Sequence, residues 1–366
     1  MRVLMTADAV GGVWTYALEL CAALSRREIE VVLATMGPEP NDDQHAQAHC
    51  IPGMSLRTSN FRLEWMEDPW RDVALAGEWL IELARDEQVD LVHLNGYAHA
   101  ALSWRRPVVV VAHSCVCSWW HAVRGEAPPA LWGHYKSAVE RGLAHASWVV
   151  APTHAFMNQL QALYTFSAPR CVIQNARTSP AAFACAEARK ELFIFASGRL
   201  WDEAKNMRVL EAVAQDGPWP IYVAGDARSP DGRTMSTGSL RCLGRQSAPQ
   251  MTDWLARASI FVHPARYEPF GLAVLEAAQA SCALVLSDLE TLRESWEGAA
   301  IFVDSGDPMQ IGLVVNELMH APAELHRLGS LARERAAQFT PARMADAYHA
   351  VYRDLLRHSA RERSVA

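Results

Sequence analysis

Residues 266–278 read RYEPFGLAVLEAA, a Tyr-Glu-Pro-Phe-Gly loop followed by an apolar run with a second glutamate inside it. Pro269 and Gly271 hold Glu268 in a loop, and the run after them predicts a helix over 271–280 with Glu276 about a turn in. An unpaired buried carboxylate costs on the order of several kcal/mol, so both glutamates need partners, from the protein or from a ligand. A ligand fits the pattern. The free N–H groups of the helix's first turn can hold phosphate oxygens. A carboxylate accepts two hydroxyls at once, which suits Glu276 to a vicinal diol such as a ribose. Glu268, ahead of the helix, can accept from hydroxyls of a sugar beyond the phosphates. Paired carboxylates also flank the scissile bond in glycosidases. Here one of the pair is on a helix and both adjoin the phosphate position, which favours binding a nucleotide-sugar over hydrolysis.

On either side of this stretch, short apolar runs alternate with helix-length amphipathic ones. The second half predicts strands over 192–197, 220–225, 259–264, 283–287 and 300–303, with helices over 205–215, 249–257, 271–280 and 308–319. The first half predicts strands over 2–6, 29–34, 90–94, 108–112, 147–151 and 171–174, with helices over 12–25, 71–85, 130–145 and 153–163. Strands that are apolar throughout and separated by helices imply parallel sheets covered on both faces. The segment 176–190, ARTSPAAFACAEARK, breaks the rhythm and reads as a linker. The expectation is an α/β protein of two doubly wound, Rossmann-like domains, 1–175 and 191–340, facing across a cleft between the carboxyl ends of their sheets. A last helix over 342–358 follows Thr340-Pro341, and the polar tail to 366 is expected to fray.

The 366 residues exceed what one core usually organises, and a composition of 50% hydrophobic and 20% charged residues is that of a globular chain. A net charge of −7 argues against a nucleic-acid binder, though local cations can still hold a small anion. The eight cysteines, at 21, 50, 115, 117, 171, 185, 242 and 282, form no CxxC pair and read as reduced thiols. The chain opens directly on a strand-like run without a signal-peptide layout, and no apolar run is long enough to span a bilayer. A soluble, cytoplasmic protein is expected.

Several further residues could carry chemistry. Gly11-Gly12 follows the first strand and opens a helix; paired glycines let backbone approach a ligand at an anion-favouring N-terminus, with a plain tight turn as the alternative. The spacing is not GxGxxG, which weakens a dinucleotide reading. Gly198-Arg199-Leu200 ends the first strand of the second half and Lys205 follows, in a chain whose other lysines stand only at 136 and 190. Arg199 and Lys205 together form a clamp for a diphosphate, each at ~5 Å contributing about 3 kcal/mol at an effective dielectric of about 20. Singly, each is also an ordinary surface cation. His113 ends the strand 108–112 and reads either as a functional residue at a sheet's carboxyl end or as a structural histidine. Trp14, Trp119 and Trp120 are candidates to stack on an acceptor, with packing as the alternative for each. No aspartate pair of DxD type is present to chelate a metal-diphosphate, so no divalent ion is implied.

At these residues the sequence resembles the retaining glycosyltransferases of family four, which have the GT-B fold. The likeness spans most of the chain. Its most specific part is the glutamate-x7-glutamate motif, Glu268 to Glu276, and it continues through SDLETLRE (287–294) and GAAIFVD (298–304). Gly11-Gly12, His113 in AHS, GRLWDEAKN (198–206), VAGD (223–226) and LGR (243–245) also match. The resemblance implies that Arg199 and Lys205 hold the donor diphosphate, helped by N–H groups near Phe270, Gly271 and Leu272. It further implies that Glu276 binds the ribose, that Glu268 holds hydroxyls of the transferred sugar, and that the backbone at His113 lies near the anomeric carbon. His113, Glu268, Arg199 and Lys205 would then form the catalytic set. The loop after Leu243-Gly244 would frame the base, and Gly11-Gly12 would lie near the reacting phosphate and the acceptor. The last helix would cross back onto the N-terminal acceptor domain, leaving 191–340 as the donor domain.

The implied reaction moves a sugar from a UDP- or GDP-linked donor to a hydroxyl of a sugar, a lipid-linked glycan or a small molecule. It retains anomeric configuration, needs no metal or other cofactor, and would serve bacterial glycan or glycoconjugate synthesis, with peripheral contact at the inner face of the membrane left open. Three departures stand out: Arg199 and Lys205 are one residue further apart than is common, Asn175-Ala176 replaces Asn-Gly, and Ser281-Cys282 stands where glycine is frequent. The competing readings are a non-catalytic nucleotide-sugar binder, a UDP-sugar epimerase of the same fold, and an NAD-linked dehydrogenase, the last weakened by the missing glycine fingerprint.

Overall fold

Four consecutive valines, Val108–Val111, form a strand buried at every position, and so does ALVLS at Ala283–Ser287. Such runs need cover on both faces, and each lies inside a wholly parallel sheet. The computed structural model describes residues 1–184, 190–228 and 238–365. The chain divides into two units, one of Met1–His121, Glu126–Ala176 and Thr340–Ala366, the other of Ala122–Gly125 and Arg177–Phe339.

In the first unit seven strands, β1 (Arg2–Asp8), β2 (Glu30–Met36), β3 (Met54–Thr58), β4 (Leu91–Leu94), β5 (Val108–Val111), β6 (Trp148–Ala151) and β7 (Arg170–Val172), lie in the order β3-β2-β1-β4-β5-β6-β7. Helices α1 (Gly12–Ser25), α2 (Asp42–His49), α3 (Trp70–Asp86), α4 (Val116–Arg124), α5 (Gly133–His145) and α6 (His154–Leu163) connect them. Among its described residues the second unit has six strands, β8 (Glu191–Ser197), β9 (Ile221–Ala224), β10 (Arg241–Gly244), β11 (Ala258–His263), β12 (Ala283–Ser287) and β13 (Ile301–Val303), in the order β10-β9-β8-β11-β12-β13. Its helices are α7 (Val209–Asp216), α8 (Ala248–Arg257), α9 (Leu272–Gln279), α10 (Glu290–Trp296), α11 (Pro308–Met319) and α12 (Pro322–Ala336). Strand order reverses between β1 and β4 in one sheet and between β8 and β11 in the other. In open parallel sheets, ligands bind beyond the carboxyl ends of the strands at such reversals.

The last helix, α13 (Pro341–Val365), belongs to the first unit. Its Tyr348, Val351 and Tyr352 share a buried core with Tyr16, Leu20 and Leu24 of α1. Arg27, just after α1, donates to Asp346 at 2.5 Å and to the carbonyl of Ala342 at 2.9 Å. The helix runs on through the stretch expected to fray, since residues 342–365 contain neither glycine nor proline.

The chain passes from the first unit to the second after Ala176, at the start of the segment read as a linker. Ala176 is buried in the first core and Phe183 in the second, so this segment is packed at both ends of its described part. Residues 185–189 of that linker, Cys185 among them, lie outside the described residues. The seven described cysteines carry free thiols. The helix expected over 205–215 splits into a 3-10 turn at Glu203–Lys205 and α7, because Asn206 adopts a left-handed φ of 51° between them. No helix among the described residues is long and apolar enough to cross a membrane.

Candidate functional site

Glu268 follows β11 by five residues and precedes α9, which begins at Leu272 behind Gly271 at φ 90°. Its loop is pinned by the Arg266 N–H on the carbonyl of Ala204 (2.8 Å) and by Thr291 Oγ1 of α10 on the Glu268 carbonyl (2.6 Å). Glu268 Oε2 accepts from Lys205 Nζ at 2.6 Å and from His263 Nε2 at 3.1 Å. Burial alone would push this carboxyl's pKa up; the Lys205 ammonium and the His263 ring overturn that and hold it well below the usual range. Oε1 has no hydrogen-bond partner among the described residues.

Protein partners therefore answer the burial problem at both glutamates. Glu276, on α9, receives Arg177 Nε at 2.8 Å, and Gln279 one turn further on holds the carbonyl of Arg177 at 2.8 Å. Neither His263 nor Arg177 was among the sequence candidates. His263 had a signal, a histidine closing an apolar strand five residues ahead of Glu268; Arg177, 99 residues from Glu276, had none.

Arg199 and Lys205, expected to clamp a diphosphate, both hold carboxylates: Arg199 donates to Asp202 at 2.7 Å and lies 5.3 Å over the ring of Trp201. The Arg199 backbone is set by Gly198, whose N–H reaches the Ala224 carbonyl at 3.0 Å. Gly225 at φ 142° permits this approach, because a Cβ there would fall 1.8 Å from the Gly198 oxygen. Gly244 closes β10 at φ 68° and is exposed; its carbonyl accepts from Gly225 N–H at 2.9 Å. Phe270 is buried edge-on against Phe339 at 5.6 Å, so its backbone rather than its ring is offered to a ligand.

In the first unit Gly11 and Gly12 are exposed at the start of α1, which no side chain caps. Trp14, proposed for an acceptor, is instead in the core at 4% exposure, its Nε1 directed to Gln47 at 3.3 Å. It belongs to the buried core that α1 shares with the first sheet and α13. Trp119 and Trp120 are half-buried on α4, edge to face at 5.6 Å.

His113 stands two residues past β5, with Nε2 2.8 Å from Asn95 Oδ1 and its ring edge-on to Tyr16 at 4.4 Å. Three tyrosines pin the loop that follows it. Tyr97 Oη donates to the Ser114 carbonyl at 2.8 Å, Tyr135 Oη accepts from Val116 N–H at 3.3 Å, and Tyr164 Oη meets Cys115 Sγ at 3.1 Å.

Burial pushes the imidazoles of His93 and His113 down to about 3 and lowers that of His99. Their folded pKa values lie below the unfolded value of about 6.5, so their contribution to stability is complete above that pH and is lost as pH falls below it, towards 3 for His93 and His113. Each ring should remove up to about 1.4 kcal/mol per pH unit below about 6.5. Urea midpoints measured at pH 7.5, 6.5 and 5.5 should fall accordingly, and a flat series would contradict the burial of these rings. Glu268, depressed from 4.5, adds to the loss only in more acid solution.

Among the described residues no group of three or more His, Cys, Asp or Glu is placed to hold a metal ion. Comparison with known proteins finds a match to the model described as Glycosyltransferase Family 4 over residues 10–177 and to the model described as Glycosyl transferases group 1 over residues 182–335. The chain is 31% identical over 126 residues to the alpha-maltose-1-phosphate synthase of Mycobacterium tuberculosis, covering 32% of this chain and 33% of that protein. It is 30% identical over 110 residues to the D-inositol 3-phosphate glycosyltransferase 1 of Catenulispora acidiphila, covering 30% of this chain and 26% of that protein. The aligned stretch thus spans a third or less of these relatives' length.

Among solved structures, sucrose-phosphate synthase from Thermosynechococcus elongatus superposes with a TM-score of 0.77 at 17% identity, over 98% of this chain and 100% of that one. Anabaena HepE in complex with UDP and glucose does so at 0.71 and 16%, over 96% and 99%. WaaG, a glycosyltransferase of lipopolysaccharide biosynthesis, gives 0.71 and 12%, over 95% and 99%. At these identities the structures speak for the fold.

Proposed function

Because the chain belongs to glycosyltransferase family 4 and has the GT-B fold, we propose that it transfers a sugar from a nucleoside-diphosphate donor to an acceptor hydroxyl with retention of anomeric configuration. The observation that carries this reading is the state of Glu268. Its Oε2 is committed to Lys205 and His263 while Oε1 is left to accept from sugar hydroxyls. An ionised carboxylate is an acceptor only, so it suits a neutral polyol and repels phosphate.

In this reading Glu276, steadied by Arg177, takes the ribose hydroxyls. The N–H groups from Phe270 to Leu272, with Arg199 and Lys205, take the diphosphate, and the loop after Gly244 takes the base. By the family resemblance, Gly11-Gly12 and the backbone at His113 serve the transfer step. The acceptor hydroxyl attacks the anomeric carbon on the face from which the diphosphate leaves. As the new C–O bond forms and the old one breaks, the acceptor's proton passes to a leaving phosphate oxygen. Arg199 and Lys205 stabilise the charge that develops there. No metal or other cofactor is needed in this scheme, and the donor is UDP- or GDP-linked. The acceptor is a hydroxyl of a sugar, a lipid-linked glycan or a small molecule, met in the cytoplasm or at the inner membrane face.

A thermal-stability screen tests the donor site. UDP heads the panel, since HepE is bound to UDP and glucose, followed by GDP, ADP, dTDP and their sugars. The cognate nucleotide at ~100 times its Kd should stabilise by about 2.7 kcal/mol, an upward shift of several degrees. Absence of a shift with every nucleotide would overturn the reading.

A further inference from the structure

The proton positions around His113 can be worked out from the groups that surround it. Asn95, just beyond β4, donates from Nδ2 to the Thr6 carbonyl at 2.6 Å, and its own N–H reaches Thr6 Oγ1 at 2.9 Å. A carbonyl only accepts, so Nδ2 must face Thr6 and Oδ1 must face the histidines. Oδ1 lies 2.8 Å from His113 Nε2 and 3.2 Å from His93 Nε2. Both rings therefore carry their proton on Nε2. His93 Nδ1 is then the acceptor for the Tyr352 hydroxyl of α13 at 2.6 Å, and Tyr16 Oη lies 3.3 Å from His93 Nε2. On His113 the consequence is a bare Nδ1 lone pair with no hydrogen-bond partner among the described residues.

We infer that Asn95 is a positioning residue that locks His113 in the Nε2–H tautomer, so that Nδ1 accepts a hydrogen bond from a substrate hydroxyl, while His93 and Tyr352 of α13 brace the arrangement. The inference rests on the sugar-transfer reading above and deepens it in two ways. A neutral lone pair selects an O–H donor and rejects an anionic oxygen at this point of the site. It also leaves His113 without a proton to deliver from Nδ1, which makes it a hydroxyl holder rather than a general acid.

The neighbours of His113 keep it neutral. They are Tyr16 of α1, His93 of β4 and Asn95, with Tyr348 and Tyr352 of α13 next to His93. Burial raises the pKa of all three tyrosines and lowers that of His93, so the cluster carries no charge near neutral pH.

Nitrogen NMR of the imidazoles tests this, with His113→Gln used to assign the signal. The wild-type protein should show His113 as the neutral Nε2–H form from pH 5 to 8. Asn95→Ala should release it into a tautomer mixture and lower kcat on the order of 10–100-fold. Asn95→Asp keeps an acceptor oxygen in place, so the Nε2 proton should persist. Its added charge should draw a second proton onto the ring, and turnover should fall as pH drops and recover as it rises. A wild-type ring protonated at Nδ1, or an Asn95→Ala variant with the tautomer unchanged, would overturn the inference whatever the activity. The expected NMR pattern in a protein that transfers no sugar from any donor would instead count against the functional reading alone. The wild-type spectrum decides the tautomer even if Asn95→Ala does not fold.

Discussion

Replacing Lys205 with alanine is expected to lower kcat/KM for the cognate donor by ~10²–10³-fold, the scale of losing a group that stabilises developing charge. The reasoning is local. Lys205 and Glu268 are largely withdrawn from water, with side chains 18% and 12% exposed, and their charges meet at 2.6 Å. Removing the ammonium leaves a buried carboxylate supported by His263 alone. Breaking a buried pair from one side typically costs about 3–5 kcal/mol of stability, and the remaining imidazole places this case near the lower figure. A second variant separates the two roles. In Lys205→Ala combined with Glu268→Gln, no uncompensated charge remains, so stability should return while turnover does not. Lys205→Ala with turnover within threefold of the parent would remove the lysine from the mechanism.

Gly225→Ala is expected to be as damaging without touching a charged group. An added Cβ would lie 1.8 Å from the Gly198 oxygen, 2.8 Å from its carbon and 3.0 Å from Leu200 Cδ1, at a φ of 142° that L residues rarely adopt. The obstacle is backbone, which cannot rotate aside as a side chain does. The carboxyl ends of β8 and β9 must part, and the Gly198 N–H bond to Ala224 goes with them, displacing Arg199. A loss of more than about 3 kcal/mol, or roughly 10 °C in Tm, is expected along with loss of donor binding. Gly133→Ala, where an added Cβ meets nothing within 4 Å, is the control and should leave Tm within a few degrees. Equal melting of the two variants would show that the β8–β9 approach is not as close as described.

The strands most readable from sequence were those with a continuous apolar run. The expected 283–287 coincides with β12, and the helices at 12–25 and 308–319 coincide with α1 and α11. Some of what escaped notice lay at the edges or carried much charge. β3 (MSLRT) and β10 (RCLG) are terminal strands of their sheets, so one side needs no apolar pattern. α12 is rich in charge and interrupted by Gly329, yet it packs through Leu325, Leu328 and Ala332, with Gly329 against the Ser281 carbonyl.

The site divided along similar lines. Glu268, Glu276, Arg199 and Lys205 stood out by residue type and spacing, but the sequence separation of 63 from Lys205 to Glu268 hid the fact that these two are one another's partner. For Trp14 the packing alternative holds, its ring lying in the core at 4% exposure. Asn95 and Tyr352 joined the account only through contacts that chain distance conceals.

The placement of α13 also sets an order on how the molecule is made. The chain leaves the first unit at Ala176, completes the whole of the second, and returns only at Thr340. On the ribosome, the first sheet therefore emerges long before the helix that seals it. Until Tyr348 and Tyr352 arrive, the part of α1 that meets α13 has no permanent cover and His93 lacks its hydroxyl donor. The first unit must wait, incompletely folded, until translation has passed Thr340 and α13.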